Sequence, residues 1–292
     1  MKKSLNVLIY AAACLSSVAG AALPLTDTVP GGIAVLAVAP ADEPEPRVTF
    51  NGNRILTLRD NNEWKAVIGL PLSLKAGEHQ VAVTQGRATK MLAFKVDPKE
   101  YEAQYLTISN KKMVDPAAED LPRIQREQEL MNKANATWTP VLKDELVFNA
   151  PSQGPFSARF GLRRFYNKQP RASHTGLDIA VPEGTPILAP AAGTVIETGD
   201  FYFTGNVVFL DHGQGLVTMY IHMSRIDVVK GQTVKRGERL GAVGKTGRVT
   251  GPHLHWAVSL NNTRVDPMLF LTPAARAAGE KPATANGNNK QP

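Results

Sequence analysis

His253-Leu-His-Trp-Ala-Val258 is the stretch from which the fold of this chain can be worked out. Because neighbouring side chains of a β-strand point to opposite faces, its two imidazoles share one face. Leu254 and Trp256 share the other face, where they would pack into an apolar core. The pattern therefore predicts a strand that is buried on one side and lines a cleft with His253 and His255 on the other.

Other runs in the second half of the chain have the same strand character between glycine-rich turns. In Leu216-Val-Thr-Met-Tyr-Ile-His222, Thr218, Tyr220 and His222 would share a polar face. This strand is therefore also predicted to be half buried and half lining a site. Little of the region is typical of helix. We expect residues 142–272 to form an antiparallel β domain, with further strands at Thr194-Val-Ile-Glu-Thr198 and Asn206-Val-Val-Phe-Leu210.

Residues 22–97 are predicted to form a small antiparallel β-sandwich. Short apolar or alternating runs are separated by turn residues such as Asn51-Gly52, and this regular spacing is typical of a sandwich. No titratable cluster occurs among them, and we expect His79 to be a surface residue. The predicted strands are Ile33-Ala-Val-Leu-Ala-Val38, Arg47-Val-Thr-Phe50, Arg54-Ile-Leu-Thr-Leu58, Trp64-Lys-Ala-Val-Ile68, Gln80-Val-Ala-Val-Thr84 and Met91-Leu-Ala-Phe-Lys-Val96.

Residues 98–141 are predicted to form a connector that contains one helix. The segment is charged and rich in helix formers, and Pro122 suits the first turn of a helix. We predict a helix from about Pro122 to Ala134, with one face packed against a domain. The last residues, 273–292, are rich in Ala, Asn, Lys and Pro, and we expect them to be a disordered tail.

The first residues indicate export. Lys2 and Lys3 precede an uncharged stretch, and small residues at 19–21 suit cleavage after Ala21, so residues 1–21 are predicted to be a signal peptide. The alternatives are an uncleaved membrane anchor and lipid attachment at Cys14, which would tether the protein to a membrane. Cys14 is the one cysteine of the chain, so removal of the leader excludes disulfides.

We expect the protein to be periplasmic, with an outer-membrane or extracellular location as the alternative.

Charge restricts the partners only weakly. The formal net charge is +7, which suits an anionic cell wall and would also suit nucleic acid. No run of Lys and Arg is interleaved with aromatic residues, and we therefore expect no nucleic-acid partner.

His174-Thr-Gly-Leu-Asp178 places an imidazole and a carboxylate four positions apart, on one face if the segment is extended. Two His and one Asp would leave a fourth position open on a zinc ion. A His-Glu-x-x-His helix is absent from the sequence, so the remaining imidazoles would carry out acid–base work. Spacing alone leaves open whether His253 or His255 is the ligand.

The ordered set of motifs between 157 and 271 resembles the LytM/lysostaphin family of zinc peptidoglycan endopeptidases. The motifs are His174-x-x-x-Asp178, Tyr220-Ile-His222-Met-Ser224 and Gly247-Arg-Val-Thr-Gly-Pro-His253-Leu-His255-Trp256, with Phe160-Gly-Leu-Arg-Arg164 and Gly184-Thr-Pro-Ile-Leu-Ala-Pro190 as context.

This resemblance implies an antiparallel β peptidase domain of the lysostaphin type, behind the sandwich and the helical connector. It also implies one Zn²⁺ bound by His174, Asp178 and His255, with His222 and His253 as the catalytic histidines. The implied activity is hydrolysis of peptide cross-links between peptidoglycan stem peptides. The export signal favours the bond from D-Ala to meso-diaminopimelate over glycine bridges.

Two other functions remain open at this point. Some relatives lose zinc ligands and activate wall amidases, so a non-enzymatic regulator on the same fold is the main alternative. Residues 181–195 and 229–241 also resemble the half-repeats of biotinyl or lipoyl carrier domains, which have no use for clustered histidines. The resemblance further suggests that the N-terminal domain regulates or positions the site, with a regulatory protein partner as a further expectation.

Several residues near the motifs have more than one possible role. Tyr166 and Asn167 lie where some relatives carry an oxyanion-stabilising tyrosine, but the correspondence is loose there. Arg163, Arg164 and Arg171 would either meet carboxylates of the stem peptide or be solvated. His212 is expected in a hairpin turn with a structural role.

Overall fold

The structure is a computed structural model that describes residues 22–142 and 144–280. The predicted signal peptide with its Cys14 and residues 281–292 lie outside the described part. Within the described ranges, no helix is long and apolar enough to cross a membrane.

Two small sheets form the N-terminal module. One has the strand order β1-β5-β4 and the other β3-β2-β6-β7, and an apolar cluster that includes Val48, Phe50 and Phe94 lies between them. The predicted sandwich is confirmed. Its strands are β1 (Ile33–Pro40), β2 (Arg47–Phe50), β3 (Asn53–Arg54), β4 (Leu56–Asp60), β5 (Glu63–Gly69), β6 (Gly77–Gln85) and β7 (Ala88–Val96).

The sheet β1-β5-β4 is buried on both faces. Ala34, Ala66 and Ile68 face the core of the sandwich, whereas Ile33 and Leu56 belong to the core of the second domain. Burial on both faces explains why the first strand reads as a continuous apolar run rather than an alternating one. The two halves of the chain therefore share one apolar interface.

The connector contains a strand that the sequence did not predict. This strand, β8 (Ala103–Leu106), is followed by two short 3-10 turns, Lys111–Met113 and Ala118–Asp120, and by helix α1 (Leu121–Asn135). The helix is found where it was predicted, and its Ala134 and Met131 pack against apolar residues of the second domain. Leu121 in the first turn is exposed, so the packed face of the helix does not include it.

The second domain is built on one large antiparallel sheet with the strand order β17-β14-β15-β16-β19-β12-β9. Strand β10 lies apart from it and pairs in parallel with β8 of the connector. The strands are β9 (Phe156–Ala158), β10 (Arg163–Tyr166), β11 (Gln169–Pro170), β12 (Leu177–Ile179), β13 (Pro186–Leu188), β14 (Gly193–Phe201), β15 (Gly205–Gly213), β16 (Leu216–Ile226), β17 (Thr233–Val234), β18 (Arg239–Val243), β19 (Leu254–Leu260) and β20 (Thr263–Val265).

Strand β16 differs from its prediction. Tyr220 is fully buried in the main core, and Met219 and Ile221 are buried on the other face beneath α1. The Thr218 hydroxyl bonds the Tyr220 hydroxyl at 2.8 Å and His212 Nε2 at 2.8 Å. Both hydroxyl groups therefore have hydrogen-bond partners inside the protein. The prediction that Thr218 and Tyr220 line a site is therefore wrong.

The predicted disordered tail is wrong in its first part. A 3-10 turn, Pro267–Phe270, leads into helix α2 (Pro273–Gly279). The Thr272 hydroxyl accepts a hydrogen bond from the backbone N–H of Ala275 at 3.1 Å, which caps the helix. Gly279 at the helix end is buried. A Cβ atom at Gly279 would lie 2.0 Å from the ring of Phe156, so the absence of a side chain lets this end of the helix pack closely.

Candidate metal centre

Three side chains that the sequence singled out converge at one end of the large sheet. Strands β12 and β19 pair so that Asp178 lies opposite His255. Asp178 Oδ1 is 2.7 Å from His255 Nδ1 and 2.9 Å from His174 Nε2, and the two ring nitrogens are 2.9 Å apart. His174 and Asp178 are buried and His255 is nearly so. The three ligand atoms could hold one metal ion.

His174 reaches this cluster from a loop. The sequence suggested that the segment from His174 to Asp178 is extended, but β12 begins only at Leu177. Four extended residues would span about 13 Å, whereas His174 Nε2 and Asp178 Oδ1 are 2.9 Å apart. Backbone hydrogen bonds to residues 161 and 162 anchor His174 before the chain turns at Gly176. A Cβ atom at Gly176 would lie 2.5 Å from His255 Nε2, so this position requires glycine for close approach.

A backbone carbonyl fixes the tautomer of His174. Its Nδ1 lies 2.7 Å from the carbonyl oxygen of Arg159, and since a carbonyl only accepts, Nδ1 carries the proton. The lone pair of Nε2 then points toward Asp178 and His255. Ligand imidazoles in metal sites are oriented by outer contacts of this kind.

The surroundings of His255 and Asp178 hold each of these groups in the protonation state that metal binding requires. Burial lowers the pKa of His255 to about 4, despite the opposing effect of Asp178. Burial alone would raise the pKa of Asp178, but its contacts with the imidazoles of His174 and His255 hold that pKa well below its usual value. A neutral imidazole and an ionised carboxylate are therefore present at neutral pH.

His222 and His253 lie beside His174, Asp178 and His255. The ring centroids of His222 and His253 are 5.0 Å apart, and His253 Nε2 is 3.9 Å from Asp178 Oδ1. Each Nδ1 bonds a backbone carbonyl, that of Thr246 at 2.8 Å and that of Gly251 at 2.9 Å. Both Nδ1 atoms are therefore protonated, which leaves each Nε2 as a proton acceptor.

A β-bulge turns His222 toward this site. The pairing of β15 with β16 shifts register between Asn206 and Val208, and His222 has a φ of 66°, in the left-handed region. Its backbone N–H bonds the carbonyl oxygen of Thr204 at 3.0 Å instead of a ladder partner. Bulges beside active sites often redirect one side chain, and this one separates His222 from the buried face of Tyr220.

Asp178, His222 and His253 form part of the wall of a cleft of about 270 Å³. The connector supplies another part with Gln104, Leu106 and Ile108. These connector residues were missed because β8 is short and pairs with a strand far along the chain. The loop from Arg248 to Pro252 also lines the cleft.

Arg164 is the member of the predicted arginine group that enters the site. Its Nη2 donates to Asp178 Oδ2 at 3.0 Å, its Nε to Gln104 Oε1 at 3.2 Å and its Nη1 to the Tyr166 hydroxyl at 3.1 Å. Arg163 and Arg171 instead bond Tyr101 and Asp115 outside the cleft.

Three further residues are placed as follows. Tyr166 is buried and lines the cleft, whereas the side-chain amide of Asn167 bonds both backbone groups of Ile108 and stays out of it. His212 lies inside strand β15, one residue before its end, and not in the predicted turn. It is buried, with Nδ1 2.7 Å from the Ala192 carbonyl oxygen, in agreement with a structural role. His79 bonds the Lys75 carbonyl oxygen far from the site.

Comparison with known proteins identifies two matching families. Residues 172–267 match Peptidase family M23, and residues 26–99 match the Peptidase family M23 N-terminal domain. A crystal structure of a peptidase M23 from Pseudomonas aeruginosa is 42% identical and superimposes with a TM-score of 0.71. That comparison covers 84% of this chain and 96% of the solved chain.

Named relatives are similar over the second domain. Peptidoglycan DD-endopeptidase ShyA of Vibrio cholerae is 40% identical over 131 residues, which is 44% of this chain and 30% of ShyA. DD-carboxypeptidase/endopeptidase Mpg of Neisseria gonorrhoeae is 39% identical over 117 residues, 40% of this chain and 27% of Mpg. The matched region thus spans less than a third of either relative.

Proposed function

This chain belongs to peptidase family M23, and from that membership we propose that it is a zinc-dependent endopeptidase of bacterial peptidoglycan. The bond cut would be the peptide cross-link from D-Ala to meso-diaminopimelate. One observation carries the proposal: His174, Asp178 and His255 converge within hydrogen-bonding distance of one another, with His222 and His253 beside them in one cleft.

The donor set fits zinc. Two imidazole nitrogens and one carboxylate oxygen make a three-ligand set of the kind found in catalytic zinc sites. When bound here, zinc would lower the pKa of a coordinated water and polarise the scissile carbonyl group. His174, Asp178 and His255 would hold the ion, and the carbonyl of Arg159 would keep His174 oriented.

His222 and His253 would handle the protons. Burial, with repulsion from His253 and His255, holds the pKa of His222 well below its usual value, so this imidazole is neutral at pH 7. One of the two Nε2 atoms would take the proton from the attacking water and pass it to the nitrogen of the breaking C–N bond. The other, when its Nε2 also carries a proton, would donate to the carbonyl oxygen that becomes negative, a contribution of about 3–4 kcal/mol for a good donor.

The substrate class rests on relatives. ShyA and Mpg carry the names peptidoglycan DD-endopeptidase and DD-carboxypeptidase/endopeptidase, and each shares this domain. Such a substrate lies outside the cytoplasm, which agrees with the export signal read from residues 1–21, and we infer a periplasmic location. The complete ligand set favours an enzyme over a non-enzymatic regulator of amidases.

The N-terminal module and the connector would position the site. Gln104 of β8 bonds Arg164, which bonds the ligand Asp178, so the connector is linked to the metal centre through two side-chain contacts. A regulatory protein partner acting on this link remains part of the proposal.

Digestion of purified cross-linked peptidoglycan tests the proposal. The protein should contain about one zinc per chain and release new amino groups, and EDTA should stop the release until zinc is returned. His253→Ala, which leaves all three ligands in place, should retain zinc and lose hydrolysis. Wall binding without any release by the zinc-loaded protein would contradict the proposal and favour the regulator.

A further inference from the structure

Arg248 is a cleft residue whose charge has no carboxylate partner. It lies in the loop that precedes His253, and its side chain is half-buried. Its guanidinium carbon sits 4.9 Å from the ring centroid of Tyr166 and 4.5 Å from that of Phe203. Two aromatic faces therefore hold this cation in a fixed position at the wall of the cleft.

Neighbouring arginines are neutralised, whereas Arg248 is not. Arg164 pairs with Asp178 at 3.0 Å and Arg171 with Asp115 at 2.9 Å. Among the residues in 22–142 and 144–280, no Asp or Glu oxygen lies within 4.0 Å of the Arg248 guanidinium. Its one long side-chain bond to the backbone goes to the Met113 carbonyl oxygen at 3.4 Å.

The surroundings of Arg248 leave a positive potential in the cleft. Burial lowers the pKa of its guanidinium, Tyr166 opposes this effect, and the charges of Arg164 and Arg171 add to it. An arginine still remains protonated at neutral pH, because its pKa begins far above that range. Aromatic contact compensates only part of the lost hydration, so a carboxylate entering the cleft would be attracted strongly.

We propose that Arg248 is a specificity-determining residue that binds a free carboxylate located beside the scissile amide of the substrate. This proposal rests on the peptidoglycan endopeptidase function proposed above. In meso-diaminopimelate, the amine that D-Ala acylates stands on the same carbon as a free carboxylate. A glycine bridge has no such group next to its scissile bond. Arg248 would thus select the diaminopimelate cross-link and reject uncharged acceptors.

A purely structural role for Arg248 predicts something different. If its guanidinium only joined the rings of Tyr166 and Phe203 to the connector at Met113, its loss would slow all substrates by the same factor. A carboxylate-binding role changes the ratio between a substrate that carries the carboxylate and one that does not.

The test uses two soluble cross-linked peptides that differ only at the diaminopimelate carboxyl group beside the scissile bond. One peptide carries the free carboxylate and the other the carboxamide. For the zinc-loaded wild-type protein, kcat/KM should be about 10- to 100-fold higher on the carboxylate, as for one charge-assisted pair. Arg248→Gln should bring this ratio to within about threefold of unity, whereas Arg248→Lys should retain part of it.

Arg171→Gln is the matched control, since it removes a nearby charge that lies outside the cleft wall, and its ratio should remain that of the wild type. Unfolding temperature and zinc content of each variant show whether it is folded and loaded. Equal ratios in wild type and Arg248→Gln would overturn the assignment of Arg248. Hydrolysis of neither peptide by the zinc-loaded wild type would instead overturn the proposed function.

Discussion

Arg164 and Asp178 form an ion pair inside the cleft, with 3.0 Å between Nη2 and Oδ2. The other carboxylate oxygen, Oδ1, faces the ring nitrogens of His174 and His255. One oxygen of Asp178 thus binds Arg164, and the other is left to bind the proposed metal ion. Arg164 therefore orients the carboxylate so that a single oxygen is offered as a ligand.

The first prediction concerns the ion pair between Arg164 and Asp178. Arg164→Gln should weaken zinc binding about 10- to 100-fold, the usual cost of losing an outer contact to a metal ligand. Competition with a chelator of known affinity measures the change. Arg163→Gln is the matched control and should leave zinc affinity within about twofold. Among the residues that the structure describes, the Arg163 side chain bonds one group, the backbone carbonyl of Tyr101. Equal affinities of the two variants would contradict the role of Arg164.

The second prediction concerns Gly176. A methyl group there would lie 2.5 Å from His255 Nε2 and 2.7 Å from the Trp256 carbonyl oxygen, so the ligand ring would have to move. Gly176→Ala should therefore lower zinc content at limiting zinc. Gly231→Ala provides the comparison, since its φ of 90° brings backbone strain but its Cβ would enter open space. Loss of zinc by both variants to the same extent would show that strain, rather than the clash, matters.

The third prediction is a pH dependence of the metal-free protein. The folded pKa of His255, about 4, is below its unfolded value, so the unfolded chain binds more protons between pH 6.5 and pH 4. Stability must therefore fall as pH falls through that window, by about 2 kcal/mol from pH 7 to pH 5 for His255 alone. His222 acts in the same direction, whereas Asp178 titrates below this window.

Urea unfolding of the EDTA-treated protein at pH 7 and pH 5 measures this loss. The metal-free His255→Gln variant should lose less stability on acidification, because it lacks the titrating ring. Stability that is constant or higher at pH 5 would rule out a neutral, buried His255.

The fourth prediction concerns the shared interface between the two halves of the chain. Leu56 of β4 is fully buried against the second domain. Leu56→Ala should cost about 3 kcal/mol of unfolding free energy, within the range for buried leucines. Leu121→Ala is the control, since Leu121 is 53% exposed and should change stability by less than about 0.5 kcal/mol.

One unfolding transition, shifted as a whole by Leu56→Ala, is the expected result. Loss of N-terminal structure at a denaturant concentration that leaves the metal centre folded would show that the halves are independent.

Side-chain alternation gave reliable information where a strand is regular. His253 and His255 reach the same site, and Leu254 and Trp256 pack in the core, as their spacing predicted. The prediction from alternation was wrong for Thr218 and Tyr220. A bulge just before His222 changes the face of the sheet to which the side chains point, so His222 does not share the face of Thr218 and Tyr220. No residue in Leu216–His222 signals that bulge.

Long-range pairing accounts for what the sequence did not reveal. Strand β8 becomes a wall of the cleft only through its parallel pairing with β10, about sixty positions later. Arg164 and Arg248 both lie in the quoted motifs, but their partners lie in other segments of the chain. Arg164 bonds Asp178, and Arg248 contacts the rings of Tyr166 and Phe203. The pairing of an arginine cannot be read from its own neighbours.

Mass spectrometry of a purified cross-linked muropeptide dimer is the most direct measurement. Incubation with the zinc-loaded protein should convert the dimer into two monomers whose summed mass exceeds that of the dimer by one water. One monomer should end in D-Ala and the other should carry a free amine on meso-diaminopimelate. An intact dimer, or products cut within the glycan, would contradict a zinc endopeptidase built on His174, Asp178 and His255.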